Sequence, residues 1–241
     1  MRWKMTIEYD GLPFVGWQRQ KNGKTVQEVI EASIFAFSKE VVTLYGAGRT
    51  DSGVHALGQT AHFDLNRNFS PTSVRDAINF HLRPWPIVIL NVEQVHCDFH
   101  ARVDATARHY KYRILNRRAP PTIDFGRVWH IPRRLNVEEM ADAATALIGK
   151  HDFTSFRAAA CQAKSPVKTL TDLRISKVED EIHIEAYARS FLHHQVRNIV
   201  GTLKLVGEGK WDRTDILSAL AAKDRSAAGP TAPATGLYLM A

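Results

Sequence analysis

Cysteine is scarce. Cys97 and Cys161 are the only two in 241 residues, far apart and in no CxxC pair. That excludes a zinc ribbon and argues against a disulfide framework, which suits a reducing, cytoplasmic location. Long apolar runs are missing as well. The best candidate, Ile87-Val88-Ile89-Leu90, falls far short of the ~20 residues a membrane span needs, so no membrane partner is expected. The N-terminus alternates polar and apolar side chains from its first residues, which is not the pattern of a signal peptide. Apolar residues are not depleted: 44% hydrophobic, 9% aromatic and 24% charged is a globular composition. Acidic residues are in deficit, 25 Asp+Glu against 32 Lys+Arg, for a net charge of +7. Such a balance favours acidic partners, nucleic acid the commonest, although a merely basic enzyme shares it.

Periodicity supplies the fold. Residues 2–10 alternate as a strand, with Trp3, Met5, Ile7 and Tyr9 on one face. Thr25 and Glu28 read as a capping box for a helix over 26–38, striped by Val26, Val29, Ile30, Ile34 and Phe37. A short strand (41–45), a glycine-rich loop (46–58) and a strand (59–64) follow. Ser70-Pro71 opens a helix to residue 82, and 87–92 is a further strand. The order β-α-β-β-α-β then returns: a strand at 109–115, a helix capped by Asn136 and Glu139 and ending at Gly149, strands at 170–177 and 182–188, and a helix at 192–206. A short helix (214–222) and a last strand (237–240) close the chain. The expected class is α+β: two ferredoxin-like halves with antiparallel sheets and a central active-site cleft. Residues 1–104 form the first half and 105–241 the second.

One loop looks chemical: Gly46-Ala47-Gly48-Arg49-Thr50-Asp51-Ser52-Gly53-Val54-His55-Ala56. Glycines permit tight turns and close approach of a ligand, but Thr, Asp and Ser also suit an ordinary hairpin. Neither GxxxxGK[ST] nor GxGxxG fits it. Gly23-Lys24-Thr25 imitates the end of a phosphate loop, yet Gln18 stands where that motif needs glycine, so a helix cap is the better reading. Eleven histidines invite a metal hypothesis, including His96, Cys97 and His100 and the pair His193-His194. None sits in HExxH or in the deaminase HxE…PCxxC arrangement, and no metal is expected.

The residues from Gly48 to Ala56 resemble the signature loop of the TruA family of bacterial tRNA pseudouridine synthases, with Ser52 where that family usually has alanine. The resemblance runs nearly end to end. It includes Tyr9-Asp10-Gly11, Phe14 to Gln18, Lys24 to Gln27, Phe99 to Arg102, Ala107 to Tyr112, Phe191 to Asn198, Ala232-Pro233 and Gly236 to Leu239. It implies two ferredoxin-like halves and an isomerase that converts uridine to pseudouridine in the tRNA anticodon stem-loop, at positions 38, 39 and 40. It also implies a homodimer and no cofactor, because no atoms enter or leave the product.

By this resemblance Asp51 is the catalytic carboxylate, acting either by attack on sugar or base or by removing a sugar proton. An ionised carboxylate shielded from water needs a cation. Arg197 is the implied partner; it lies about 60° from Val200 on the edge of its helix's apolar stripe, where a salt bridge elsewhere or snorkelling is the plainer reading. Tyr110, by periodicity a core aromatic, is implied to stack on the target uracil. Arg49 is implied to hold the flipped nucleotide, and contact with phosphate is equally open to it. Arg102, Lys111 and Arg113 lie in a basic run, and Arg19, Lys21 and Lys24 in an N-terminal loop; together they form a candidate RNA-backbone track. The rival reading is a noncatalytic RNA-binding protein, against which the usual sheet-borne aromatic motif is absent. A small-molecule enzyme using the glycine-rich loop as an anion nest is a further rival.

Overall fold

The computed structural model describes every residue from Met1 to Ala241. The chain forms two compact units, Met1–Thr106 with Tyr238–Ala241, and Ala107–Leu237.

The first unit contains β1 (Arg2–Tyr9), α1 (Val26–Ser38), β2 (Tyr45–Gly46), β3 (His55–Asp64), α2 (Pro71–Leu82) and β4 (Ile87–Val95). Its strands lie in the order β4-β1-β3-β2, all antiparallel, which is the ferredoxin-like arrangement. Alternation in β1 buries Trp3, Met5, Ile7 and Tyr9 and leaves Arg2, Lys4, Thr6 and Glu8 on the other face. Each large side chain so buried contributes about 1.5–3 kcal/mol. Thr25 caps α1 by accepting the Glu28 N–H, but the reciprocal half of a capping box does not form, because the Glu28 carboxylate turns to Lys24 Nζ at 3.3 Å. Ser70 caps α2 ahead of Pro71, as the sequence predicts.

Several boundaries differ from expectation, β4 for one running on to Val95 rather than ending at residue 92. The strand predicted at 41–45 shrinks to Tyr45–Gly46, since Leu44 takes its hydrogen bonds from α1 side chains: its N–H donates to Glu31 Oε1 and its C=O accepts from Gln27 Nε2. β3 starts at His55, which shortens the glycine-rich loop. The last strand, Leu237–Leu239, pairs in parallel with its beginning, Tyr238 against His55 and Leu239 against Ala56. Tyr238–Ala241 therefore belong to the first unit, where the sequence reading kept all of 105–241 in the second.

The second unit contains β5 (Arg108–Leu115), β6 (Trp129–His130), α3 (Val137–Ala144), β7 (Gly149–Asp152), β8 (Val167–Val178), β9 (Glu181–Ala188), α4 (Gln195–Gly207) and α5 (Arg213–Ala222). Its antiparallel sheet runs β5-β9-β8-β7, with β6 parallel to β5. The helix expected to reach Gly149 stops at Ala144. A 3-10 turn, Thr145–Leu147, buries Ala146 and Leu147 and leads into β7, which the sequence did not announce. α4 starts three residues later than expected: His194 sits at φ 63° and Gln195 Oε1 accepts the Leu192 N–H, so 192–194 form a turn. No helix is long and apolar enough to cross a membrane.

Candidate active site

The Asp51 loop is held from two sides. Beyond β2 it continues along β3: Ala47 N–H donates to Thr60 O at 2.7 Å, and the fully buried Gln59 receives Gly48 N–H at 3.3 Å while donating to Gly48 O at 2.7 Å. From the other side residues 9–17 grip it. Trp17 N–H donates to Thr50 O (3.1 Å), Tyr9 Oη meets the buried Thr50 Oγ1 (2.7 Å), and Ser52 Oγ donates to Phe14 O (3.2 Å). The Asp51 carbonyl accepts Val54 N–H, closing a tight turn in which Gly53 takes φ 77°.

Two glycines make this approach possible. A Cβ on Gly11 would stand 2.0 Å from Val54 O. Gly16 adopts φ 116° with Thr50 O 2.9 Å from where its Cβ would be. The N-terminal segment and the signature loop thus recur together in the resemblance because one is the seat of the other. Asp51 is half-buried and Arg49 exposed. A carboxylate on a fixed turn, partly open to solvent, is positioned to meet a ligand without reorganisation.

In the second unit, alternation along β5 buries Tyr110 and Tyr112 and turns Lys111 and Arg113 to the opposite face. The Tyr110 ring meets Phe191 edge to face, centroids 5.2 Å apart at 87°. Tyr112 is core: its Oη donates to Pro233 O at 2.8 Å, and burial pushes its phenol well above the ordinary value, against the opposing charge of Arg197. Arg197, half-buried on α4, donates from Nε to Ala232 O (2.8 Å), and Ala232 N–H returns a bond to Arg197 O (3.1 Å). The segment carrying Ala232 is itself tied down. Arg225 donates to Asn198 Oδ1, Thr231 Oγ1 and Gly229 O, and Thr202 Oγ1 accepts the Gly229 N–H.

The expected RNA-backbone residues fall in both units. Lys21 and Arg102 are exposed. Arg19 is paired with Glu31, and Lys24 with Glu28. Arg113 makes a fork to Glu181, at 2.6 and 2.9 Å, and reaches Asp124 at 3.3 Å, so its charge is answered within its own unit. Lys111 is half-buried on the same strand. His100, a residue of the histidine-rich stretch, accepts the N–H groups of Arg102 and Val103 at Nδ1 and so acts as a turn cap. Sequence reasoning passed over Gln59 and Arg225, and named Gly11, Gly16 and Asn198 only within the stretches of the resemblance, without a role. Each acts through contacts distant in sequence.

A model of the tRNA pseudouridine synthase family matches residues 5–104 and 143–241. The chain is 60% identical over 237 residues to the tRNA pseudouridine synthase A of Rhodospirillum centenum, covering 98% of this chain and 97% of that protein. It is 56% identical over 239 residues to the protein of the same name from Parvibaculum lavamentivorans, covering 99% and 97%. With that of Rhodospirillum rubrum it shares 56% over 240 residues, covering 100% and 86%. Fold and loop thus fall within a class of RNA-modifying isomerases. The chain belongs to the tRNA pseudouridine synthase family.

Proposed function

We propose that the protein isomerises uridine to pseudouridine in the anticodon stem-loop of tRNA, at positions 38, 39 and 40, with Asp51 as the catalytic carboxylate. The reading rests above all on the rigidly seated loop that presents Asp51, in a chain 60% identical to a tRNA pseudouridine synthase A. In the reaction the N-glycosidic bond breaks, the uracil turns, and C5 joins C1′ while the hydrogen on C5 is released. Asp51 supplies the negative charge for this exchange, at sugar or base. Arg197 is assigned the role of the cation that keeps a desolvated carboxylate ionised. Tyr110 supplies a ring for stacking the uracil, and Arg49 stabilises the nucleotide once it has left the stem. Arg102, Lys111, Lys21, Lys24 and Arg19 are assigned to the phosphate backbone. Arg113 ranks last among them because Glu181 and Asp124 already claim its charge. We assign the protein to the cytoplasm and to a homodimer, which sedimentation velocity tests directly.

The deciding experiment is tritium release from tRNA carrying uridine labelled at C5. Wild type releases the label and Asp51→Ala does not, while both bind the tRNA. Release by both proteins would keep the activity and remove Asp51 from its centre. Binding without release by either would leave a noncatalytic RNA-binding protein.

A further inference from the structure

A groove of about 210 Å³ lies between α1 and α2 in the first unit. Val29, Ala32 and Ala36 of α1 supply its apolar side, Trp85 and His81 line it from the other helix and the turn beyond, and Ser33, Glu28 and Lys24 add polar groups. The volume is below the ~300–1,000 Å³ of pockets for larger ligands and suits one planar ring.

Trp85 is held as a platform. Its N–H donates to Leu82 O and its C=O accepts from Ile87 N–H, each at 2.8 Å, so its backbone is fixed. Its ring leans on the buried Phe14, centroids 5.7 Å apart and tilted by 40°, yet 36% of the residue remains exposed. The same turn is anchored to the seat of the catalytic loop, for Pro86 O accepts the Asp10 N–H at 3.0 Å. Phe14, in turn, offers its C=O to Ser52 Oγ and Gly53 N–H, the two residues after Asp51. One packing step therefore separates the Trp85 ring from the loop that presents Asp51. Lys24 brings a cation, in a direct ion pair at 3.3 Å with Glu28, which also lines the groove, and Lys21 lies exposed in the same loop.

We propose that this groove receives one unpaired nucleobase of the RNA, a near neighbour of the nucleotide offered to Asp51, stacked on Trp85 with its phosphate beside Lys24. The inference rests on the proposed function and names a further subsite for the same substrate. An indole with one supported face accepts any base, since every base has a π-face, so the subsite adds affinity rather than sequence choice. The mixture of an aromatic wall, a small-residue floor and a cation at the mouth matches nucleotide chemistry, and the surplus of positive charge over the chain points the same way.

The test compares wild type, Trp85→Ala, Trp85→Phe and Ala32→Phe for tRNA affinity by fluorescence anisotropy at fixed salt, with melting curves alongside. Ala32→Phe fills the groove from the exposed face of α1 and leaves the Trp85–Phe14 contact alone. Trp85→Ala and Ala32→Phe are expected to weaken the dissociation constant about 5- to 150-fold, Ala32→Phe with kcat at saturating tRNA unchanged, and Trp85→Phe to stay near wild type. A folded Ala32→Phe that binds as wild type overturns the subsite, as does a Trp85→Phe that is as weak as Trp85→Ala. Absence of tRNA binding by wild type itself overturns the proposed function and this inference with it.

Discussion

Gln59 and Gly48 are joined at both ends of one amide. The Gln59 side chain accepts the Gly48 N–H and donates to the Gly48 C=O, and does so fully buried. A single side chain therefore does for the Asp51 loop what a strand ladder does elsewhere, three residues before Asp51.

Replacing Gln59 tests this directly. In Gln59→Leu, two polar groups of Gly48 lose their partners, at a cost of about 1–3 kcal/mol. The expected result is a lowered melting temperature together with a fall in kcat, since the loop loses its register. A variant with reduced stability and full turnover would separate the clamp from catalysis.

Gly11 tests the opposite flank. The alanine methyl of Gly11→Ala has no room at 2.0 Å from Val54 O, so the N-terminal segment and the loop must move apart. Crowding of this kind costs about 1–3 kcal/mol. Hydrogen exchange at the Val54 and Gly53 amides is expected to quicken, and uridine turnover to fall more than tRNA affinity.

Arg225 is the corresponding device in the second unit. Its guanidinium holds Asn198, Thr231 and the carbonyls of Ala228 and Gly229, and so fixes the strap whose Ala232 C=O accepts from Arg197 Nε. Arg225→Ala is expected to cost about 2–3 kcal/mol by stranding these acceptors. It should also reduce kcat, although Arg225 itself is placed in no reacting role. Arg225→Lys, which keeps the charge but not the fork, should recover only part of either loss.

Acid stability reports on His62. The ring is buried, stacks on Tyr45 and accepts the Ala101 N–H at Nδ1, a bond that protonation would abolish. Burial, followed by the positive charges of His100 and Arg2, pushes its pKa down to about 4 from an ordinary 6.5. The unfolded chain therefore takes up the proton first. The contribution of His62 is fully present above pH 6.5 and drains away as pH falls toward 4. Urea unfolding at stepped pH should show the loss, and His62→Gln, which keeps an acceptor and does not titrate, should flatten that part of the curve.

Local chemistry was legible in the sequence wherever neighbours in the chain are neighbours in space. Ser70-Pro71 announced α2, the alternation of Trp3, Met5, Ile7 and Tyr9 announced β1, and the Gly48–Ala56 run marked the loop. Capping was half legible: Thr25 behaves as read, while Glu28 prefers Lys24 to the backbone. What stayed hidden depends on long-range pairing. Nothing around Leu44 says that Glu31 and Gln27 will take its hydrogen bonds and shorten β2. Nothing in the Thr145–Leu147 run says that buried Ala146 and Leu147 will end α3 early. Gln59, Asn198 and Arg225 look like ordinary polar residues until the partners 11 to 33 positions away arrive.

The return of Tyr238–Ala241 to the first unit bears on how the chain acquires its shape. Tyr238 stacks on His55, 4.7 Å between ring centres, at the root of the Asp51 loop. A polypeptide leaving the ribosome N-terminus first displays the Asp51 loop early but closes the edge beside it only when Tyr238 emerges. Contacts so far apart in sequence form slowly. The edge beside the Asp51 loop is therefore finished last, and a nascent chain interrupted within the second unit would carry that loop on an unsealed sheet edge.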